Sequence, residues 1–554
     1  MDKKNWWKSS VVYQIYPKSF KDSNGDGIGD IVGIIEELDY LNSLGVKVIW
    51  LTPIYVSPQN DNGYDIADYY NIDEMFGTID DFKRLLNETH KRGMKLIMDM
   101  VVNHTSTENY WFKEALKGED NPYHDFYIWR DKPNNWSSKF GGSAWEYVES
   151  LNKYYLHLFD VTQADLNWEN PRVREEIFKM MRYWLDMGVD GFRLDVVNLL
   201  SKDQRFLDDD YSDATRDGRR FYTDGPRIHE YLNLMNKEVF SKYENIMTVG
   251  EMSSTNIENC IKYTNPDNKE LDMVFNFHHL KVDYKNNKKW ELMPFDFKAL
   301  KDLLFTWQVQ MEKGNGWNAL FWCNHDQPRI VSRFGNDTVY REESAKMLGT
   351  VIHLMRGTPY IYQGEEIGMT NPNFESIEEF RDVESLNAYE ILLKDGVDEK
   401  EVLYILNNRS RDTSRTPMQW NSEKNGGFTK GTPWINAAKN YTEINVKLED
   451  RNGNSILNYY RKLIKLREES DIISEGKFIP VLEDHPQVLA YIREKDNKKI
   501  VVLCNFYEKS TFVDWDELKN IDEVLLTNSK ENRIEGNKAF LGPYGSIVIS
   551  INNL

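Results

Sequence analysis

The chain has 554 residues and carries 89 acidic against 69 basic side chains, for a formal charge of −20. A chain of this length is too long to fold around a single hydrophobic core of ordinary size, so we expect one large domain with one or two smaller ones. The acidic balance argues against a nucleic-acid partner, because binding to a phosphate backbone depends on clustered Lys and Arg.

The apolar stretches and the cysteine content of the sequence favour a cytoplasmic protein. No stretch approaches the roughly 20 apolar residues that a membrane span needs, and the first residues lack the apolar run of a signal peptide. The three cysteines, Cys260, Cys323 and Cys504, are far apart and include no Cys-x-x-Cys pair. We therefore predict a soluble protein of a reducing compartment, without a membrane partner or an organic cofactor; the oligomeric state stays open.

Short apolar runs alternate with longer amphipathic segments over most of the chain, which is typical of βα units and a parallel sheet. Eight such runs are predicted as strands, beginning at Val11, Val46, Lys95, Val189, Asn245, Leu271, Ala319 and Thr358. Eight strands with intervening helices indicate a closed (β/α)8 TIM barrel, with an open doubly wound sheet as the alternative.

Two helices between these strands have clear end signals. Thr78 and Asp81 have the spacing of a capping box, and the helix that they open is expected to end at Gly93. Asn170 and Pro171 are predicted as N-cap and first-turn residue of a helix that stops at Gly188.

The alternation of predicted strands and helices is interrupted in two places. A stretch rich in Asn, Gly, Trp and Tyr, residues 106–170, is predicted as an inserted subdomain after the third strand. Residues 473–554 alternate as short strands and are predicted as a C-terminal antiparallel β-sandwich. The catalytic barrel is then expected to comprise residues 1–105 and 171–472.

Carboxylates stand at the ends of several predicted strands, where a barrel of this kind has its active site. A lone carboxylate there is more often a cap or an ion-pair partner, but Asp195, Glu251 and Asp326 come from three different strands. Glycoside hydrolysis requires one ionised and one protonated carboxyl group, and a third can stabilise positive charge. Arg193 lies on the same face of its strand as Asp195 and is expected to keep it ionised.

The segments MDMVVNH, GFRLDVVN, TVGEM and NHDQPR resemble, in order, the four signature regions of the α-amylase superfamily, glycoside hydrolase family 13. This resemblance implies a retaining mechanism with Asp195 as nucleophile, Glu251 as general acid/base and Asp326 as transition-state stabiliser. For that mechanism Asp195 and Glu251 should lie about 5 to 5.5 Å apart. The resemblance also implies a glucose subsite made by Asp61, Tyr64, His104, Arg193 and His325, over which Arg411 or Arg415 closes.

The segment DSNGDGIGD, residues 22–30, follows the first strand. Alternating oxygen-bearing residues and glycines suit a hard cation, although a solvated acidic turn has the same composition. The segment resembles the calcium loop of the oligo-1,6-glucosidase branch of the family. The resemblance implies a structural Ca²⁺ held by side chains of Asp22, Asn24, Asp26 and Asp30 and by the carbonyl of Ile28.

Substrate class is indicated by segments near the strand ends. Position 196, directly after Asp195, is a valine, and in this feature the chain resembles the members of the superfamily that act on α-1,6 and some α-1,1 bonds. The segments GRRFYTDGPRIHEYL, FNFHHLKVDY and WNALFWCNHDQPRIVSRF resemble trehalose-6-phosphate hydrolases within this branch. The resemblance implies hydrolysis of trehalose 6-phosphate to glucose and glucose 6-phosphate, with an oligo-1,6-glucosidase or dextran glucosidase acting on isomalto-oligosaccharides as the alternative.

A basic stretch in this acidic chain lies beyond the sixth strand. It contains Lys281, Lys285, Lys288 and Lys289 against Asp283. A phosphate group carries a charge of about −1.5 to −2 and three acceptor oxygens, so such a cluster suits it. By position alone these lysines could simply solubilise a loop; the resemblance implies that Lys281 and Lys289 bind the phosphate.

Overall fold

The computed structural model describes residues 3–212 and 216–552. Eight parallel strands form one sheet: β1 Val12–Ile15, β2 Val48–Leu51, β3 Lys95–Val101, β4 Gly191–Asp195, β5 Met247–Glu251, β6 Met273–Phe275, β7 Ala319–Leu320 and β8 Thr358–Tyr362. Their hydrogen-bonded order is β6-β5-β4-β3-β2-β1-β8-β7. A parallel bridge between Val274 and Asn318 joins the two ends of this order, so the sheet closes into the predicted (β/α)8 barrel.

Helices separate successive barrel strands, and further helices follow β8. They span Ile31–Glu36, Leu38–Leu44, Ile79–Lys91, Tyr110–Ala115, Pro171–Met187, Ile228–Glu238, Ile257–Thr264, Phe297–Lys313, Ile330–Phe334, Arg341–His353, Val383–Lys394, Glu399–Arg409, Val446–Arg451, Ile456–Glu469 and Asp471–Glu475. None of the helices in the described ranges has the length and apolarity needed to cross a bilayer.

Both predicted helix starts are present. Thr78 and Asp81 form a reciprocal capping box, and their helix ends at Lys91, two residues before the predicted glycine. The Asn170 side chain accepts a hydrogen bond from the Arg172 N–H group and so caps the next helix. Gly188 ends that helix with a φ of 107°, a left-handed conformation that suits glycine.

All residues of β1, β2, β4, β5 and β8 are buried. Strands of a parallel barrel are covered by helices outside and by packed side chains inside, which explains why they appear in the sequence as continuous apolar runs. The few charged residues on these buried strands are therefore informative, because each buried charge needs a partner.

The segment between β3 and the helix Pro171–Met187 forms small antiparallel sheets. One pairs His104–Ser106 with Gln163–Asp165, and the other contains Trp129–Arg130, Lys153–Leu156 and Trp145–Val148. A further hairpin, Tyr55–Val56 with Asp68–Ile72, follows β2. These additions surround the carboxyl ends of the barrel strands; the exact limits given for the inserted subdomain stay a prediction.

The C-terminal region consists of two antiparallel sheets. One contains Lys477–Val481, Val488–Lys495, Lys498–Asn505, Ser546–Asn552 and Ile521–Thr527; the other contains Thr511–Asp514, Lys538–Leu541 and Arg533–Glu535. Their inner faces share an apolar core that includes Val501, Val513 and Ile549. The sequence pattern does not predict Arg533–Glu535 and Lys538–Leu541, because strands of 3 and 4 residues are too short to show an alternation.

A segment after β8 was not predicted from the sequence. Its helices Val383–Lys394 and Glu399–Arg409 enclose a small apolar cluster of their own that includes Phe380, Val402 and Leu406. This segment extends over the carboxyl end of the barrel and contributes charged side chains to the cavity there.

Candidate active site

A cavity of about 230 Å³ opens at the carboxyl ends of the barrel strands. The predicted residues that line it are Asp61, Tyr64, His104, Asp195, Glu251, Lys281, Lys289, Asp326 and Arg411. Three further predicted residues, Arg193, His325 and Arg415, are buried in contact with members of this set. The structure thus brings the sequence-predicted sugar-binding and catalytic candidates to one place.

Arg193 is the central cation of the site. Its Nη1 atom lies 2.6 Å from Asp195 Oδ1 and 2.8 Å from Asp99 Oδ1, and its Nη2 atom lies 2.7 Å from Glu251 Oε2. The guanidinium carbon is 5.1 Å from the centre of the Trp50 ring. One arginine therefore holds carboxyl groups from β3, β4 and β5 in a fixed arrangement, and the predicted contact with Asp195 is present.

Asp195 and Glu251 differ in proton affinity although both are buried. Burial raises the pKa of Glu251 to about 8; Arg193 opposes this shift, and the charges of Asp195 and Asp326 add to it. Burial also raises the pKa of Asp195, but the guanidinium of Arg193 opposes the rise. The geometry thus supports a neutral acid at Glu251 beside a carboxylate at Asp195, which is the pair that retaining glycoside hydrolysis needs.

Asp326 is held as a carboxylate by arginines. Burial alone would raise its pKa, but His325, Arg411 and Arg415 lower the pKa well below the usual range. Arg415 Nη2 lies 2.7 Å from Asp326 Oδ1, and Arg411 Nη1 lies 3.6 Å from the same atom. Burial lowers the pKa of His325 to about 3, so its imidazole adds positive charge beside Asp326 only in acid, and at neutral pH the two guanidinium groups provide the stabilising charge.

The backbone at Val196 is strained. Its φ and ψ of 36° and 38° are left-handed, a conformation that is a genuine outlier for a β-branched residue. In this conformation the Val196 N–H group donates a 3.1 Å hydrogen bond to Glu251 Oε2. The residue after Asp195 therefore also positions the second carboxyl group, and strain of this kind concentrates at functional sites.

Tyr64 lines the cavity and packs against the fully buried imidazole of His325. The rings of Tyr64 and His325 stack with centroids 5.2 Å apart and planes 4° apart. Tyr64 Oη donates to Asp99 Oδ2 at 2.9 Å, and Gln14 Nε2 lies 2.7 Å from His325 Nδ1. These bonds hold the stacked pair in place, and the Tyr64 ring that lines the cavity suits the apolar face of a pyranose ring.

Three other side chains that line the cavity, Asp61, His104 and Arg411, belong to one hydrogen-bonded chain. Gln163 Nε2 donates to Asp61 Oδ2 at 3.0 Å and lies 3.3 Å from His104 Nε2. Asp61 Oδ1 in turn accepts from Arg411 Nη2 at 2.8 Å. Gln163 belongs to the inserted segment, so that segment helps to orient two of the predicted glucose-binding side chains.

The structure distinguishes between Arg411 and Arg415. Arg411 lines the cavity, and its guanidinium carbon lies 4.8 Å from the centre of the ring of Phe140, another lining residue. Arg415 is fully buried and donates through Nε to the His325 carbonyl oxygen at 2.8 Å. Arg411 is thus the arginine that can contact a ligand in the cavity, while the buried Arg415 forms an ion pair with Asp326.

The two predicted phosphate-binding lysines have different surroundings. Lys281 lines the cavity after the turn His278–Leu280. Lys289 also lines it, but its Nζ atom lies 2.5 Å from Glu384 Oε2. Lys288 pairs with Glu291 at the surface, 2.8 Å away, and is not placed in the cavity.

Several cavity residues were missed from the sequence. Lys139, Phe140 and Phe159 come from the inserted segment, and Glu384 comes from the segment after β8. Asp382 supports the site from the same segment, 2.5 Å from Arg411 Nη2. No local spacing identifies these residues, because they reach the cavity only through the packing of irregular loops.

The predicted calcium loop folds back on its own oxygen atoms. Asp22 accepts backbone hydrogen bonds from Asn24, Gly25 and Gly27 and a side-chain bond from Thr429. Gly27 has a φ of 96°, and a Cβ there would lie 1.8 Å from a backbone oxygen, so only glycine fits.

The donor set of the loop consists of oxygen atoms and fits a hard cation by its chemistry. Among the described residues no group of three or more His, Cys, Asp or Glu is arranged as a metal site. The loop oxygens of Asp22, Asn24 and Asp26 are instead turned toward backbone N–H groups. Calcium binding by residues 22–30 therefore stays a prediction.

Comparison with known proteins agrees with this geometry. Residues 14–476 match the family model of the α-amylase catalytic domain, and residues 488–548 match that of the α-amylase SusG C-terminal domain. The chain is 58% identical to trehalose-6-phosphate hydrolase of Bacillus subtilis over 98% of both chains, and 54% identical to oligo-1,6-glucosidase of Parageobacillus thermoglucosidasius over 91% of both. The crystal structure of Bacillus licheniformis trehalose-6-phosphate hydrolase superimposes with a TM-score of 0.94 at 59% identity, covering 99% of this chain and 100% of that one. The chain therefore belongs to the α-amylase family of glycosidases.

Proposed function

We propose that the protein is a retaining α-glycoside hydrolase that cleaves trehalose 6-phosphate into glucose and glucose 6-phosphate. The observation that carries the proposal is the site itself: an acid and a carboxylate held by one arginine, in a cavity that Lys139, Lys281 and Lys289 also line. Relatives with this activity, 58% and 55% identical, support the choice of substrate.

The unphosphorylated glucose would lie between Tyr64 and Asp61, with its anomeric carbon toward Asp195. The carboxylate of Asp195 attacks that carbon while the bond to the bridging oxygen breaks. Glu251 transfers its proton to the bridging oxygen, and glucose 6-phosphate leaves as the free sugar. Asp326 stabilises the positive charge that develops on the ring.

The second half of the reaction reverses these roles. Glu251, now a carboxylate, takes a proton from water, and the water oxygen attacks the anomeric carbon of the glucosyl ester on Asp195. The ester bond breaks, the Asp195 carboxylate is restored, and α-glucose is released. The separation of about 5 to 5.5 Å that this double displacement requires between Asp195 and Glu251 stays a prediction.

The nearest alternative is an oligo-1,6-glucosidase, because a relative of that name is 54% identical. The purified protein should be given trehalose 6-phosphate, trehalose and isomaltose under identical conditions, with release of glucose as the readout. We expect the highest kcat/KM for trehalose 6-phosphate. A higher kcat/KM for isomaltose would assign the protein to the alternative activity.

Activity should depend on pH through the two carboxyl groups. Glu251 must carry a proton to act as an acid, so kcat/KM should fall as the pH rises through about 8, the pKa of Glu251. Asp195 must be ionised, and its pKa is raised, so activity should also fall on the acidic side, at a higher pH than for an ordinary Asp. A pH profile of kcat/KM with an alkyl α-glucoside, whose leaving alcohol needs a proton and which has no titrating phosphate, measures both limbs; a flat profile between pH 7 and 9 would contradict the role of Glu251.

We also propose that residues 22–30 bind a structural Ca²⁺, supported by the oxygen donors of the loop and by its glycine-dependent turn. Saturating Ca²⁺ at about 100 times its dissociation constant would stabilise the fold by about 2.7 kcal/mol. We therefore expect EGTA to lower the melting temperature by several degrees. Asp26→Ala should remove this difference, whereas Asp302→Ala, at an exposed ion pair with Lys298, should keep it. Equal melting temperatures of the unmodified protein in Ca²⁺ and EGTA would exclude a bound calcium ion.

A cytoplasmic location is part of the proposal. All three cysteines are buried free thiols, which suits a reducing compartment.

A further inference from the structure

We propose that Asp382, a fully buried aspartate in the segment after β8, is the positioning residue that orients Arg411 over the glucose subsite and links it to Asp326. The inference rests on the proposed hydrolysis of an α-glucoside and gives this segment a part in binding the sugar. It applies to phosphorylated and unphosphorylated glucosides alike, because the residues concerned belong to the subsite for the glucose that Asp195 attacks.

Asp382 occupies the middle of a chain of alternating charges. Its Oδ1 atom lies 2.5 Å from Arg411 Nη2 and 3.2 Å from Arg415 Nη1, and its Oδ2 atom accepts from Arg411 Nε at 3.0 Å. Arg411 Nη2 continues the chain to Asp61 Oδ1 at 2.8 Å. Arg415 Nη2 continues it to Asp326 Oδ1 at 2.7 Å. One central carboxylate thus joins a predicted glucose ligand to the predicted transition-state stabiliser.

The contact with Asp382 uses one edge of the Arg411 guanidinium. Nε and Nη2 form that edge, and both face the Asp382 carboxylate, which is a two-point contact between planar groups. The third nitrogen, Nη1, lies 3.6 Å from Asp326 Oδ1, on the side of the cavity. Because a guanidinium that is held along one edge has a fixed plane, Asp382 determines where Nη1 points.

Asp382 is itself anchored by neighbouring parts of the chain. Its backbone N–H group donates to Asp412 Oδ2 at 3.0 Å, and the Ser385 and Ser410 hydroxyl groups lie 2.6 Å apart. Asp382 is also the N-cap of the helix Val383–Lys394, because its side chain accepts from the Ser385 N–H group at 3.3 Å. The position of this helix is therefore transmitted to the arginines of the site through one aspartate.

The charge of Asp382 is needed as well as its position. Burial alone would raise its pKa, but Arg411 and Arg415 hold the pKa below the usual range, so the group is a carboxylate at neutral pH. Both guanidinium groups contact the same oxygen, Oδ1, and a neutral side chain at position 382 would leave their mutual repulsion uncompensated. Loss of the charge is therefore expected to release Arg411 from its orientation even where the size of the side chain is kept.

The test uses Asp382→Asn, which keeps the size of the side chain and a helix-capping oxygen but removes the charge. Asp398→Asn is the matched control, because Asp398 is the exposed N-cap of the neighbouring helix Glu399–Arg409. Asp382→Ser, which also caps a helix, replaces the Asn variant if that variant melts below the assay temperature. For each we would measure the melting temperature, kcat and KM for an aryl α-glucoside, and the inhibition constant of glucose.

Asp382→Asn and Asp382→Ser should lower kcat/KM roughly ten- to hundredfold, mainly through KM, because Arg411 no longer meets the sugar in one orientation. The inhibition constant of glucose should rise by a similar factor, and Asp398→Asn should match the unmodified protein. A merely structural defect would reduce the fraction of folded protein, which lowers kcat and leaves KM and the glucose inhibition constant unchanged. That result would overturn the proposal.

A double replacement tests whether Asp382 acts through Arg411. Arg411→Lys removes the guanidinium group and should itself raise KM. If Asp382 only orients that group, the double variant should have the same kcat/KM as Arg411→Lys alone, whereas two independent roles would multiply the losses and contradict the proposal. If the unmodified protein hydrolyses the aryl glucoside but not trehalose 6-phosphate, the proposed substrate is wrong. The test of Asp382 stands in that case, because neither the aryl glucoside nor glucose carries a phosphate.

Discussion

Replacement of Asp195 by Asn is expected to lower kcat/KM by about 10⁴-fold or more for every α-glucoside, whether or not it is phosphorylated. The amide has the size of the carboxylate and can still accept a hydrogen bond from Arg193, so the fold should be retained. An amide oxygen is a far weaker nucleophile toward the anomeric carbon, and the glucosyl ester cannot form. The loss should therefore appear in the first chemical step with both good and poor leaving groups.

The measurement is single-turnover release of nitrophenol from an aryl α-glucoside by Asp195→Asn, beside Asp302→Asn as a matched change at an exposed carboxylate. Mass spectrometry of the unmodified protein with a slow fluorinated α-glucoside should locate the glucosyl ester on Asp195. Residual activity within tenfold of the unmodified protein, or an ester on another residue, would remove Asp195 from the mechanism.

Replacement of Glu251 by Gln should have an effect that depends on the leaving group. With trehalose 6-phosphate the leaving sugar needs a proton, so kcat/KM should fall roughly 10²- to 10⁴-fold. A nitrophenolate leaves without protonation, so formation of the glucosyl ester from an aryl glucoside should be affected much less. Because the titrating carboxyl group is absent, the decline of kcat/KM above about pH 8 should also disappear.

The second experiment compares kcat/KM for the two substrate types in Glu251→Gln and adds azide, a nucleophile that needs no general base. Azide should accelerate turnover of the aryl glucoside by the variant, with a glucosyl azide as product. Equal losses for both leaving groups, together with no response to azide, would show that Glu251 does not act as the general acid/base. The two replacements thus separate the nucleophile from the proton donor by different observables.

Both predictions depend on how far the two carboxyl groups differ in protonation, and Arg193 by itself does not account for this difference. The same guanidinium contacts Asp195 and Glu251, so its charge alone cannot distinguish them. The distinction arises because the negative charges of Asp195 and Asp326 both act on Glu251 in a buried setting. Removing either aspartate charge is therefore expected to lower the pKa of Glu251.

The sequence alone determined the elements that depend on local chemistry. Each of the eight predicted barrel strands is present, because strands that are covered on both faces must be continuously apolar. Helix starts such as the capping box of Thr78 and Asp81 were predictable because their hydrogen bonds join residues only three positions apart in the chain. The carboxylates at strand ends were predictable because a barrel brings all its strand ends to one face.

Only the tertiary structure decided which other side chains share the cavity with those carboxylates. Lys139 and Glu384 come from loops far apart in the chain, and no periodicity relates them to the strands that they approach. The structure also distinguished Arg411, which faces the cavity, from Arg415, which lies behind Asp326, and showed that Lys289 already has a carboxylate partner. A sequence records which charges are available, but their pairing depends on distances that only the folded chain establishes.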